Sequence, residues 1–279
     1  MKLTLLGTGS PIPHPQRAGP ATLVRTSDQL VLFDAGRGVV MRLAKAGVLP
    51  SMLSGIALTH LHSDHVCDLN DIITTHWIMN PDPTTLRIAG PVGTRAFVEA
   101  TLDTLAFDIG YRRNHHGDLH SGPLVDVTEL DAGVTWELDG LHVRTSASDH
   151  RPVEPTLAYR ISEGDQSIVI GGDGVPCVAL DELVLGASAY VQTVIREDLV
   201  RSIPNVRLQD IVDYHSTVQQ AADTAQRGGV AALVLTHMVP SPFPGTEDEW
   251  RSLASAFTGL VVLGDDLTSL DLDTMVVTG

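Results

Sequence analysis

Four side chains able to bind a metal fall within six positions in His60-Leu61-His62-Ser63-Asp64-His65, directly after the apolar run Ile56 to Leu58. Imidazole nitrogens and carboxylate oxygens suit zinc, with manganese and iron as alternatives, and cations so held can activate a water for hydrolysis. No regular helix or strand aims all four inward, so the spacing calls for an irregular turn where the chain leaves a sheet. Other apolar runs end in the same chemistry, at His150, Asp173 and His237. With the cluster these make five His and two Asp, the ligand inventory of two zinc ions, in which a carboxylate can bridge the pair. In a chain with 12 His, any one of them alone reads as an ordinary loop residue. Cys67 and Cys177 form no C-x-x-C pair, so neither a thiolate zinc knuckle nor a disulfide scaffold is expected.

The elements that must position these groups are legible as short apolar runs separated by Gly, Pro and Asp. Strands are expected over Leu3–Leu6, Ala21–Arg25, Leu30–Phe33, Gly55–Leu58 and Leu86–Ala89. A second set covers Leu141–Thr145, Thr156–Ile161, Ser167–Ile170, Ala189–Thr193 and Ala231–Leu235. Helices fit Gly38–Ala46, Thr94–Leu105 and a run from a Ser216 or Thr217 cap to Arg227, with Gly228 as its stop. The two halves echo one another. Ile56-Ala57-Leu58-Thr59-His60 parallels Leu233-Val234-Leu235-Thr236-His237, and the run ending at Phe33-Asp34 parallels the one ending at Gly172-Asp173. Two such halves, face to face, would bring the strand tips together. The expectation is an α/β chain, residues 1–279 forming one domain, with helices covering sheets.

With 279 residues, 43% of them hydrophobic, the chain can bury a large core. No apolar stretch approaches the length of a membrane span, and no export signal precedes the first strand, so a cytoplasmic protein with no membrane partner is expected. The formal charge of -16 counts against a large nucleic-acid footprint.

The segment Thr59 to His65 resembles the signature of the metallo-β-lactamase superfamily. The resemblance spans nearly the whole chain. Asp34 matches the family's first Asp, His150 its third motif, Asp173 its bridging Asp and His237 its last His. It implies a four-layer αββα sandwich with two metals at one edge. His60, His62 and His150 would hold one ion, and Asp64, His65 and His237 the other. Asp173 would bridge them, and Asp34 would orient ligands from behind. Within the superfamily, Leu5-Leu6-Gly7-Thr8-Gly9-Ser10-Pro11, Asp149-His150-Arg151-Pro152 and His215-Ser216-Thr217 resemble the ribonuclease Z and arylsulfatase-like branch. That likeness implies His215 as the proton donor to the leaving group, beside Asp64 at the metals.

Two departures bear on the substrate. Only Ser162 to Ile170 separate the Tyr159-Arg160-Ile161 strand from the bridging Asp, where ribonuclease Z carries a long basic arm. Gln192-Thr193-Val194-Ile195 stands where the family has a Glu that pairs with the catalytic His. A small phosphodiester or sulfate ester is therefore the expected substrate. Processing of transfer-RNA 3′ ends, cleavage of an activated aryl ether or halide, and metal-free binding on the same fold are the alternatives. Trp77 and Met79 in Asp71–Pro83, and Tyr111, Arg113 and His116 in Asp108–Asp118, are candidates for the pocket wall, and a homodimer is expected from the habit of the fold.

Overall fold

The computed structural model describes residues 1–80 and 82–279. The strands are β1 (Lys2–Gly7), β2 (Ala21–Arg25), β3 (Leu30–Phe33), β4 (Gly55–Ala57), β5 (Thr85–Gly90), β6 (Leu124–Glu129), β7 (Thr135–Leu138) and β8 (Leu141–Ala147). They continue as β9 (Leu157–Glu163), β10 (Gln166–Ile170), β11 (Ala189–Ile195), β12 (Ala232–Val239), β13 (Leu260–Leu263), β14 (Ser269–Asp271) and β15 (Val276–Thr278). The helices are α1 (Val39–Lys45), α2 (Ser63–Val66), α3 (Leu69–Met79), α4 (Thr94–Thr104) and α5 (Ala106–His115). After them come α6 (Val178–Val184), α7 (Glu197–Ser202), α8 (Val206–Gln209), α9 (Val218–Gly228) and α10 (Glu247–Leu253).

The strands form two sheets, ordered β15-β14-β1-β2-β3-β4-β5-β6 and β13-β12-β11-β10-β9-β8-β7. Alternate residues point to opposite faces of a strand, and here both faces are apolar. Leu3, Leu5, Val31, Phe33 and Ala57 of the first sheet meet Val143, Tyr159, Ile161, Ile170 and Val234 of the second in a shared core. The opposite faces are covered separately: Leu32 and Ile56 by α1, α3 and α4, Val169 and Leu233 by α6, α9 and α10. The result is the expected αββα sandwich.

Within each sheet, four neighbouring strands out to one edge run parallel: β3 to β6 in one, and β10 to β13 in the other. Parallel strands put their carboxyl ends at one edge, where open α/β sheets bind ligands. Helix α9 has the expected start, with Thr217 and Gln220 forming a reciprocal capping box. Its stop lies one residue later than expected, because Gly228 is still helical and Gly229, at φ 65°, takes the left-handed position.

The structure adds strands that apolar runs did not signal. Thr135–Leu138 alternates exposed with buried residues, Leu124–Glu129 fully buries only Val127, and both carry too many polar side chains to stand out. Among the described residues, no helix is long and apolar enough to cross a membrane.

Candidate metal centre

Five strand ends deliver the site. Asp34 follows β3, the His60–His65 turn follows β4, His150 follows β8, Asp173 follows β10, and His237 lies within the last turn of β12. β12 runs past the expected end at Leu235, and His237 is held at φ 46° beside an irregularity in the β11–β12 register. Asp34 is likewise left-handed, at φ 61°. Strain of this kind in non-glycine residues persists only where the surroundings enforce it, and it gathers at functional sites. The backbone here is crowded: a Cβ on Gly36 would stand 2.4 Å from the Gly19 carbonyl carbon and 2.5 Å from the Asp64 carbonyl oxygen. Only glycine lets these turns touch.

His60 Nε2 lies 3.0 Å from His62 Nδ1, and His150 Nε2 lies 3.4 Å from the same atom. Asp173 Oδ2 faces His60 Nε2 and His150 Nε2 at 4.0 Å. On the other side, Asp64 Oδ2 is 3.1 Å from His237 Nε2 and 3.6 Å from His65 Nε2. Asp173 Oδ2 completes this group at 3.4 Å from His65 Nε2 and 3.6 Å from His237 Nε2. His60, His62, His150 and Asp173 could hold one metal ion, and Asp64, His65 and His237 a second. Ligands about 2.0–2.2 Å from a tetrahedral zinc sit roughly 3.3–3.6 Å from each other, so these separations fit. His65 Nε2, Asp173 Oδ1 and His237 Nδ1 are buried without a hydrogen-bond partner. Buried polar atoms rarely go unpaired, and one of these, His65 Nε2, is itself among the converging atoms.

The far sides of the rings are tied down. Asp34 Oδ2 accepts from His65 Nδ1 at 2.8 Å, and the same carboxylate accepts from the Thr59 N–H and hydroxyl. His150 Nδ1 donates to the Tyr214 carbonyl at 2.9 Å, which leaves Nε2 free to ligate. Thr59 and the Tyr214 carbonyl were not foreseen. Thr59 carried a signal, its place beside His60, whereas a backbone carbonyl supplied from a distant turn carries none.

Electrostatics divides the site. Burial pushes His60 well below the usual histidine range and lowers His62 and His150 too, so these rings are poised as neutral ligands. Burial also pulls His65 and His237 down, but Asp173 with Asp34 or Asp64 outweighs it and holds both above that range. Burial pushes Asp173 up, yet the neighbouring His237 and His65 hold it well below the carboxylate range. Asp64 is lowered in the same way, chiefly by the hydrogen bond from His237. Two buried carboxylates demand positive charge, which divalent cations would supply.

His215 joins the centre: its Nε2 is 3.3 Å from Asp173 Oδ2, while Nδ1 donates to the Ile211 carbonyl at 2.8 Å. Gln192, standing where the family has a Glu, makes no hydrogen bond to His215. Its Nε2 donates to the Gly172 carbonyl at 2.9 Å and so braces the turn that presents Asp173.

The five residues proposed for the pocket wall do not join the centre. Trp77 Nε1 donates to the Ser121 carbonyl and lines a small cavity with Asn80, Asp118 and His120 at the far end of α3. Arg113 donates to the His120 carbonyl, and Met79, Tyr111 and His116 are exposed. The physical reason is helix direction. α3 starts four residues after His65, and Trp77 and Met79 stand about 12–15 Å along its axis from that start. Tyr111 and Arg113 lie on α5, a helix with no buried residue, and His116 caps its end. Pro81, inside the Asp71–Pro83 segment, lies outside the described residues.

Residues 1–221 match the family model described as anti-Pycsar protein Apyc1. The protein named Ribonuclease Z from Mycobacterium avium (strain 104) is 54% identical over 98% of this chain and 99% of its own. Its namesake from Mycobacterium bovis (strain BCG / Pasteur 1173P2) is 51% identical over 98% of each chain. Among solved structures, human tRNase Z, short form, superposes with a TM-score of 0.72 at 22% identity, covering 98% of this chain and 99% of that one. The metallo-β-lactamase fold protein YhfI from Bacillus subtilis gives a TM-score of 0.75 at 19% identity over 96% and 97% of the two chains. The chain belongs to the family of that model and, with its ribonuclease Z relatives, to the metal-dependent hydrolases of the metallo-β-lactamase fold.

Proposed function

We propose that the chain is a phosphodiester hydrolase of the ribonuclease Z type, acting at the 3′ side of an RNA. What carries this reading is the near-full-length identity to proteins named Ribonuclease Z, and the small-ester substrate expected from the sequence yields first place to it. Two zinc ions fit the donor set of imidazoles and carboxylates, held by His60, His62 and His150 on one side and Asp64, His65 and His237 on the other. Asp173, whose Oδ2 lies within 4.0 Å of both groups, would help to hold the pair of ions. When bound, such ions lower the pKa of a water and polarise the phosphoryl oxygens. Asp34 fixes the His65 ring, and the Tyr214 carbonyl fixes His150. His215, anchored at Nδ1 by Ile211, presents Nε2 to deliver a proton to the leaving oxygen.

A specific observation favours the second reading, a small phosphodiester. β9 and β10 are joined by a tight hairpin through Gly164 at φ 57°, so no arm extends there to hold a folded RNA. The two readings separate in one comparison: kcat/KM on an RNA with a 3′ trailer against bis(p-nitrophenyl) phosphate, with and without chelator. Chelator-sensitive cleavage at the trailer junction is the expected result. Turnover of the small diester with an inert RNA would move the assignment to the second reading.

A further inference from the structure

The chain has only two lysines, Lys2 and Lys45, and both line one cavity of about 250 Å³ together with Arg25. Thr4, Leu23, Ala46, Val48, Leu267 and Ser269 complete its wall, with no carboxylate among the lining residues. In a chain of 34 acidic and 18 basic residues, three converging cations would ordinarily meet carboxylates. Among the described residues, however, none of the three forms an ion pair.

The backbone holds this arrangement at some cost. Lys2 stands directly opposite Arg25 in the β1–β2 register, a like-charge pairing that opposes sheet formation. On its other side Lys2 faces Asp271, but the Asp271 Oδ1 accepts the backbone N–H groups of Asp273 and Thr274. Lys45 closes the cavity from the last turn of α1, where a cation is locally favoured. Leu267, on the wall, is held at φ 74°, a conformation that branched side chains avoid. The cavity is not part of the metal centre. Arg25 pairs with Leu30 at the start of β3, and the four residues from there to Asp34 span about 13 Å.

We propose that this cavity is a second binding site, for a small polyanion bearing a pyrophosphate or comparable pair of phosphate groups. Its three cations reach it from β1, β2 and α1, so the charges meet only in the folded chain, and Thr4 and Ser269 add hydroxyl groups to the same wall. The site stands on these residues alone and does not depend on which phosphodiester the metal centre cleaves.

The test is calorimetric titration of the metal-loaded protein with inorganic pyrophosphate. Wild type is expected to show a binding event besides any at the metals. Arg25→Gln and Lys45→Gln should each weaken that event roughly tenfold or more, the size of one lost charge-assisted contact. Turnover of bis(p-nitrophenyl) phosphate should stay within about twofold of wild type, since neither residue touches the centre. Arg144→Gln, an equal change of charge on exposed β8, should leave both unchanged. Pyrophosphate binding that is absent, or unaltered in the two variants, would overturn the proposal. So would variants that lose affinity for a single-stranded RNA oligonucleotide but not for pyrophosphate, which would make the cavity a contact for an RNA backbone.

Discussion

His62 and His215 both point at the same centre, yet they are built in differently. His62 Nδ1 sits within 3.4 Å of two other imidazole nitrogens, whereas His215 Nε2 faces the Asp173 carboxylate at 3.3 Å. His62→Ala is therefore expected to abolish activity with loss of metal. His215→Ala should lower kcat by about 10²–10⁴-fold while metal content stays near wild type. Elemental analysis beside steady-state kinetics decides it, and equal metal loss in both variants would give His215 a structural role. Asp34 supports from behind: it holds the His65 ring and is itself held by two Thr59 donors. Asp34→Ala should weaken metal affinity about 10- to 100-fold, measurable by competition with a chelator. An unchanged affinity would separate the ring's orientation from this contact.

At the scale of elements, the site depends on turns that pack backbone against backbone. Gly36→Ala would drive a methyl group into the Gly19 and Asp64 backbone, which cannot swing aside as a flexible side chain can. A loss at or above the upper end of about 1–3 kcal/mol is expected from denaturant unfolding. Thr217→Ala tests a different link, because the α9 capping box begins two residues after His215. Losing the cap should cost about 1 kcal/mol of stability. A fall in kcat larger than that stability change accounts for would show that the cap also sets the position of His215.

For the whole molecule, the ligands come from both layers of the sandwich. His60, His62, Asp64 and His65 follow the first sheet, while His150, Asp173 and His237 belong to the second. Bound ions would thus tie the two sheets together across their shared edge. Chelation should lower the thermal midpoint, because an ion held at about 1,000 times its Kd adds roughly 4 kcal/mol to the folded state. Scanning calorimetry with and without chelator checks this, and a midpoint indifferent to chelation would mean that the sheets hold their relation without the ions.

Much of the centre was readable because its residues end apolar runs: the turn after Leu58, and His150, Asp173 and His237 after three others. Periodicity of apolar residues is a local property, so the strands nearest the site and the helices α1, α4 and α9 were legible from it. Polar edge strands such as β6 and β7 were not, since half of each faces away from the core. The pocket candidates show the same limit. Aromatic and basic character in Trp77, Tyr111 and Arg113 says nothing of direction, and Trp77 and Arg113 bond instead to the Ser121 and His120 carbonyls. The sequence by itself determined the candidate ligand types, their strand-end positions and, through the family resemblance, the four-layer class. Only the tertiary structure decided the Ile211 and Tyr214 carbonyls behind His215 and His150, the bracing role of Gln192, and the meeting of Lys2, Arg25 and Lys45. Each of these is a contact between residues far apart in the chain or through backbone atoms, which no side-chain pattern encodes.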